Sequence, residues 1–443
     1  MFSCFARVSR LVVCSFVATA FGAAAFAQTT VPLGAAQTVN RSPLLTAQHP
    51  AVDADAEGGF VVVWAARAPD GPANASVVQA RRFAPDGMPL DVDLQISPQA
   101  GDLVDAIRPR LNVGADGQFV VVWYDNNQGS VHGRKFHSDG TPSSTFLDVS
   151  DELGGSFPDV ALTAEGGFFA VWQSSASSGD DDSQTSIQGR LFSSDGVPQT
   201  DVFQLNSYTT NGQGSASVVR LSDGGFAVTW ASFGSAGGDA SRHSVQLRLF
   251  DSVGFAANAE IQVSQMTPND QFNPRLAVSA SGELMVTWES EATIPPQILG
   301  RRLDSASGLP IGNEFRVNDV SLAWPYAPDV AMSDDGESVF AWSDAQTAGK
   351  RFDNDDLQVG NTLTVGSHYY EYDPQIAAQK EGRFLVVWDD DHGDIKARLY
   401  DRDTDEDGVG DSSDCAPEDP QWSTCLFVDG FESGDLSGWS SGS

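Results

Sequence analysis

Basic side chains and cysteine are what this chain has least of. Its 443 residues carry 25 lysines and arginines against 60 aspartates and glutamates, a formal charge of −35. A surface of that sign repels phosphate backbones and anionic lipid, so nucleic-acid binding by phosphate neutralisation is excluded. Of only four cysteines, Cys4 and Cys14 fall in the first 27 residues, and the remaining pair is too few for a disulfide framework. Apolar material is plentiful: 41% of residues are hydrophobic, with 10 tryptophans and 26 phenylalanines. That argues against disorder, in a chain longer than one ordinary core fills.

The amino terminus reads as an export signal. Arg7 and Arg10 precede an apolar stretch from Leu11 to Phe26, and Ala25, Phe26 and Ala27 form the small-x-small pattern that a signal peptidase cuts. The apolar run is short and rich in Ala and Gly, unlike a retained anchor. Val13 is not the small residue that lipidation at Cys14 requires. Residues 1–27 are therefore expected to be removed from a secreted or cell-surface protein, with no membrane span thereafter. In an oxidising compartment Cys415 and Cys425 are expected to form one local disulfide.

Self-similarity dominates residues 50–400. Seven Val- or Phe-rich runs end in tryptophan, at Trp64, Trp123, Trp172, Trp230, Trp288, Trp342 and Trp388; GGFVVVW (58–64) and GRFLVVW (382–388) are examples. A short strand, often opened by proline as in PRLNV (109–113), precedes each run. A variable polar loop follows, then a strand such as IQGRLF (187–192), a turn of the SDG type, and a short fourth strand such as IQVS (261–264). Each unit is a four-stranded meander. The tryptophans recur every 46 to 59 residues, slightly above the roughly 40 to 50 of propeller blades. The tryptophan-ending strand is apolar at every position, so it must be covered on both faces, as in radially packed blades.

The seventh unit lacks a fourth strand after Tyr400, whereas VPLGAAQTVN at 31–40 matches the fourth-strand segment LPIGNEFRVN at 309–318. The expected fold is all-β: a seven-bladed β-propeller of four-stranded blades over residues 28–400, its last blade completed by the amino-terminal strand. Closure removes the open edge, and a monomer is expected. An open solenoid would not explain the displaced strand.

One cation recurs in every third strand: Arg81, Arg134, Arg190, Arg248, Arg301, Lys350 and Arg398. A position repeated in every blade suits a structural pairing better than an anion site. The loops after the second and fourth strands emerge on one face, which gathers Asp180, Asp181, Asp182, Asp239, Asp344, Asp389, Asp390, Asp391 and Asp394. Trp324, Tyr326, Tyr369, Tyr370 and Tyr372 lie on the same face, with Tyr208 and Phe272. These aromatics mark it as the expected ligand face for a glycan or protein partner. The six histidines show no metal spacing and no nucleophile elbow is present, so no catalytic residue is assigned.

Beyond residue 400, Asp403, Asp405, Asp407, Asp411 and Asp414 place carboxylates at loop positions 1, 3, 5, 9 and 12, with Gly408 at 6 and the Val409 carbonyl at 7. Ca²⁺ requires that many oxygens. With Cys415 and Pro417 the run resembles one thrombospondin type 3 calcium repeat, over about 15 residues. Position 12 is Asp where an EF-hand has Glu, and one copy stands where such repeats come in tandem. Residues 401–420 are thus expected to bind calcium. Residues 421–443 form a Gly/Ser-rich tail whose FVDGFESGDLSGW resembles a terminus found on exported proteins of some gammaproteobacteria. Unit by unit, residues 50–400 also resemble the FVVxW and GRxF repeats of bacterial surface and calcium-binding exoproteins, which implies an architecture and no reaction. The expected function is a secreted or surface binding protein. The alternative is a secreted carbohydrate-active propeller, glycosidase or lyase, using carboxylates at the axial mouth.

Overall fold

Each tryptophan-marked unit folds as one antiparallel sheet, and seven such sheets stand in a ring. The structure, a computed structural model, describes residues 29–41, 46–67, 75–98, 105–235, 237–239, 241–320, 324–366, 372–379, 382–390, 392–404 and 410–411. Residues 1–28 and 412–443, with the export signal, both cysteines of the expected disulfide and the tail, lie outside the described residues. Among those described, no helix is long and apolar enough to cross a membrane.

The first strands are Thr46–Ala54, Ala106–Val113, Ser156–Leu162, Gln213–Arg220, Gln271–Val278, Tyr326–Met332 and Tyr372–Ala378. Each packs against the first strands of both neighbours, the seventh returning to the first, so these strands line the axis. Outward come the tryptophan strands, the cation strands and the fourth strands. Fourth strands of the first five blades pair over only two residues each, which blunts the outer edges.

The hydrophobic core is divided accordingly. It forms seven clusters, each shared by two adjacent blades. Val62 and Trp64 face blade seven and pack with Val387 and Leu399. Their neighbours Val61 and Val63 face blade two and pack with Leu111 and Val121. Alternation along one strand therefore fills two cores, and the strand needs apolar residues at every position. All seven tryptophans are buried.

Closure occurs where the repeat alignment puts it. Thr29–Pro32 pairs antiparallel with Tyr400–Asp403, and Gln37–Thr38 with Lys396–Ala397. The last strand runs to Asp403, three residues beyond the boundary expected from sequence. Asn40 Oδ1 accepts the Ile395 N–H at 2.8 Å, as Asn206 accepts from Ile187 and Asn318 from Ile298 in complete blades. The segment 31–40 thus occupies a fourth-strand position down to its terminal asparagine. Arg351 clamps it from blade six, donating to Thr29 O and Thr30 Oγ1 while paired with Glu337.

The repeated cations tie blade to blade. Arg81, Arg134, Arg248 and Arg301 each donate to a carbonyl that ends the preceding fourth strand, at Val39, Ile96, Leu205 and Val263. Lys350 reaches Asp319 at 2.7 Å, just past the preceding fourth strand. Guanidinium forks suit this double task, since Nε of Arg134, Arg248 and Arg301 also closes its own blade's turn.

Deleting residues 29–40 should leave the last blade three-stranded with a bare edge. The expected outcome is a thermal midpoint lower by at least roughly 5 °C and association in light scattering; an unchanged midpoint would contradict closure by this strand.

Candidate functional site

In every blade the pairing of the first two strands slips by one residue at the same place. The slip falls opposite the tryptophan. Trp64 faces His49 and Pro50, Trp123 faces Arg108 and Pro109, and the pattern continues to Trp388 against Asp373 and Pro374. Two residues oppose one, which is a β-bulge. The first bulge residue takes a left-handed conformation in all seven blades: His49, Arg108, Phe157, Ser215, Asn273, Ala327 and Asp373 have φ between 45° and 56°. Such a φ is uncommon outside glycine and costs about 1–3 kcal/mol per residue. Here it turns one side chain per blade onto the axis.

Those seven residues converge on a single cavity of about 110 Å³. Pro158, Ala216 and Pro328 fill its wall, and Arg110, Arg275 and Gln375, two positions beyond their bulge residues, complete it. The cavity lies at the beginning of the first strands. It therefore opens on the face that carries the variable loops.

Carboxylates stand behind this lining. Asp159 accepts the Val160 and Val218 N–H groups at 3.0 and 2.9 Å, and Asp329 accepts that of Ile376 at 2.9 Å. Asp53 binds Val113 N–H and Asn112 Nδ2 at 2.8 and 2.7 Å. Apart from the Val160 N–H, each donor belongs to the next blade, so these acids are interblade stitches as well as charges near the axis. Burial pushes Asp53 and Asp329 up to about 6, and Asp159 upward in the same direction. Burial, with Arg275 beside it, pushes Arg110 down to about 10. His49 is pushed down to about 4, chiefly by burial, with Asp373 opposing and Arg108 and Arg110 adding to the shift. Its Nε2 lies 4.0 Å from Asp373 Oδ2. Arg108 stacks on Phe157 at 4.4 Å.

The sequence-derived ligand face is partly here. Trp324 is 62% exposed and stands three residues before the cavity residue Ala327, within about 10 Å of the mouth. Tyr326 and Tyr372 each begin a first strand directly before a lining residue. Tyr369, Tyr370 and Asp391 lie outside the described residues. The acidic loops differ from expectation, because Asp181, Asp239, Asp389 and Asp390 are buried. Asp181 and Asp239 brace their own loops through Ser183 and Ser241, and Asp390 does so through His392 and Asp394 N–H groups. A wider hollow of about 590 Å³ at the closing seam includes Asp390, His392, Asp394 and Lys396, but there Lys396 already pairs both aspartates, at 3.3 and 3.0 Å. Of the calcium run, Asp403, Thr404, Gly410 and Asp411 are described while Asp405, Asp407, Val409 and Asp414 are not. No group of potential metal ligands occurs among the described residues.

Sequence reasoning missed His49, Arg108, Arg110, Arg275 and Asp373. The signal was present: each bulge residue directly precedes the residue that opens the first strand's apolar stretch, a proline in six of seven blades.

No protein-family model and no curated protein matches the chain. Solved structures do. A Dyadobacter fermentans protein of unknown function aligns over 84% of this chain and 99% of its own, at 10% identity and a TM-score of 0.50. A Penicillium chrysogenum α-L-arabinanase complexed with arabinobiose covers 84% and 97% at 12% identity, TM-score 0.47. An ulvan lyase of polysaccharide lyase family PL25 covers 82% and 95% at 10% identity, TM-score 0.49. At such identities the likeness is one of fold, and the chain is a β-propeller.

Asp329 gives a pH signature. Its pKa is raised on folding, so its contribution to stability is complete below the unfolded value near 3.8 and is lost as pH rises through about 6. Asp329→Asn, which keeps an acceptor for Ile376, should be more stable than the parent by about 3 kcal/mol at pH 8 and nearly equal to it below pH 4. Denaturant midpoints across that range check this. His49 titrates with the opposite sign in the same window, so the variant comparison isolates Asp329.

Proposed function

We propose that this is an exported, carbohydrate-directed propeller that works at its axial pocket. The observation that carries the reading is the convergence of seven strained residues, one from each blade, on one cavity. Guanidinium, imidazole, carboxylate and amide groups meet there beside an exposed tryptophan. Polar groups that fix hydroxyls, with an aromatic face for stacking, suit a sugar, and strain concentrated at one place is a mark of a working site. The cavity is far below the roughly 300–1,000 Å³ of pockets that engulf a drug-sized ligand. One end or one substituent of a glycan would enter, with the rest lying across the loop face.

One pair of lining groups suits turnover. His49 stays unprotonated near neutral pH and Asp373 stands 4.0 Å from it, so an imidazole and a carboxylate able to exchange protons both line the pocket. Incubation of the mature protein with neutral and acidic polysaccharides should release reducing ends or unsaturated products, and His49→Ala and Asp373→Asn should each lower the rate by about 100-fold. Binding without any release would make the protein a non-catalytic glycan receptor.

A separate inference concerns the connector at residues 401–420. Asp403, Asp405, Asp407, Asp411, Asp414 and the Val409 carbonyl would hold one Ca²⁺, and the described ends of that loop support this. Asp411 accepts from the Thr404 N–H and Oγ1 at 2.8 and 2.7 Å and donates its N–H to Arg402 O at 2.7 Å, so loop position 9 is tied to the residues on either side of position 1. Calorimetric titration of the mature protein should show calcium binding that Asp405→Ala with Asp407→Ala abolishes. No heat at millimolar calcium would refute the site.

A further inference from the structure

We infer that the group entering the axial pocket is anionic, a carboxylate or sulfate on a sugar, and that Arg108, Arg110 and Arg275 seat it. The inference rests on the axial pocket being the ligand site and adds the class of ligand.

The argument starts from scarcity. In a chain of charge −35 with 25 basic residues, three arginines line one cavity of about 110 Å³. The other inward-facing cations of the fold are committed. Arg81, Arg302, Arg351 and Lys350 each pair with a carboxylate at 3.0 Å or less. Among the described residues Arg108, Arg110 and Arg275 have no carboxylate within ion-pair distance.

Their donors are also in surplus. A guanidinium has five N–H groups. Arg110 gives one to Pro109 O at 3.0 Å and Arg275 one to Pro274 O at 3.1 Å. Arg275 Nε is buried without an acceptor among the described residues. A short carbonyl contact from each side chain to the preceding residue fixes the fork in place and leaves its remaining edge toward the cavity.

The nearby acids offset this charge only in part: Asp159, Asp329 and Asp373 act on Arg110 from a distance, and none forms an ion pair with it among the described residues. Asp159, Asp329 and Asp53 each commit one oxygen to a backbone N–H of the next blade. Asp373 lies on the His49 side, 4.0 Å from Nε2. Arg110 and Arg275 instead stand close enough to repel one another. Two like charges held near each other in one cavity are relieved by an anion between them, and planar forks match the paired oxygens of carboxylate or sulfate. The acidic outer surface would also repel anions that arrive without a sugar for the loops to grip.

The test uses the mature chain and three probes: glucuronate, a glucose sulfate and glucose, titrated by calorimetry or ligand-observed NMR at low and high salt. Glucuronate or the sulfate is expected to bind at least about tenfold more tightly than glucose, to weaken with salt, and to lose at least about tenfold in Arg110→Ala and Arg275→Ala. Arg316→Ala, on the outermost strand of blade five, should bind as the parent does. The stronger of the two anionic probes identifies the group. Thermal midpoints of the variants control for folding, and Arg275→Lys, which keeps the charge without the fork, should bind weakly yet measurably. Equal binding of glucose and the anions, untouched by the arginine variants, overturns this inference and leaves the pocket as a sugar site. Ala327→Phe distinguishes the other failure: it fills the cavity with a side chain that blade three already carries at Phe157 in the same conformation. If saccharides bind undiminished in that variant, or no probe binds the parent, the site reading falls and this inference with it.

Discussion

Everything at the axis depends on a pairing of two residues against one. In every second strand the tryptophan stands opposite two residues of the first strand, which bulges at that point in all seven blades. Each indole is buried in the cluster shared with the preceding blade, so the bulge cannot relax without disturbing that seam. Strain that would be costly in isolation is thereby imposed by packing well away from the axis. The residue so displaced is free to vary, and it does: histidine, arginine, phenylalanine, serine, asparagine, alanine and aspartate occupy one structural position. A rigid rule thus generates a chemically irregular pocket.

The architecture was legible because its causes are local and repeated. An unbroken apolar run needs two covered faces, and the tryptophan spacing, the arginine column and the displaced fourth strand each state one part of a closed ring. Asn40, Asn206 and Asn318 make the same bond in three blades, which is why a match in letters became a match in space. The pocket was illegible for the opposite reason. Its residues lie 46 to 59 positions apart in the chain, differ in every blade, and meet only because a bulge turns them inward. Acidity misled in the same way: Asp181, Asp239 and Asp390 look like a ligand face in sequence, yet each caps a loop from within.

Charge is therefore distributed with a purpose that composition conceals. Most cations tie blades together through carbonyls and carboxylates, and the outer surface is left to the acids. The three arginines at the cavity are the exception to both uses. Buried aspartates around them act as hydrogen-bond acceptors for the neighbouring blade, and burial raises their pKa so that they take up protons only as the pH falls toward about 6.

The ring is joined by its two ends, with Thr29 paired to Asp403. A chain emerging from the ribosome meets its partner strand last. Six blades can form in sequence from contacts within about 60 residues, but the seventh and the seam beside it wait until residue 403 has been made. That contact is the most distant in the fold and the slowest to find by loop closure. Until it forms, blade one presents an unpacked apolar flank, Val62, Trp64 and Ala66 among it. The same strand that secures the closed ring thus sets the moment at which it closes, and leaves the nascent propeller in need of protection until its partner strand at 400–403 is made.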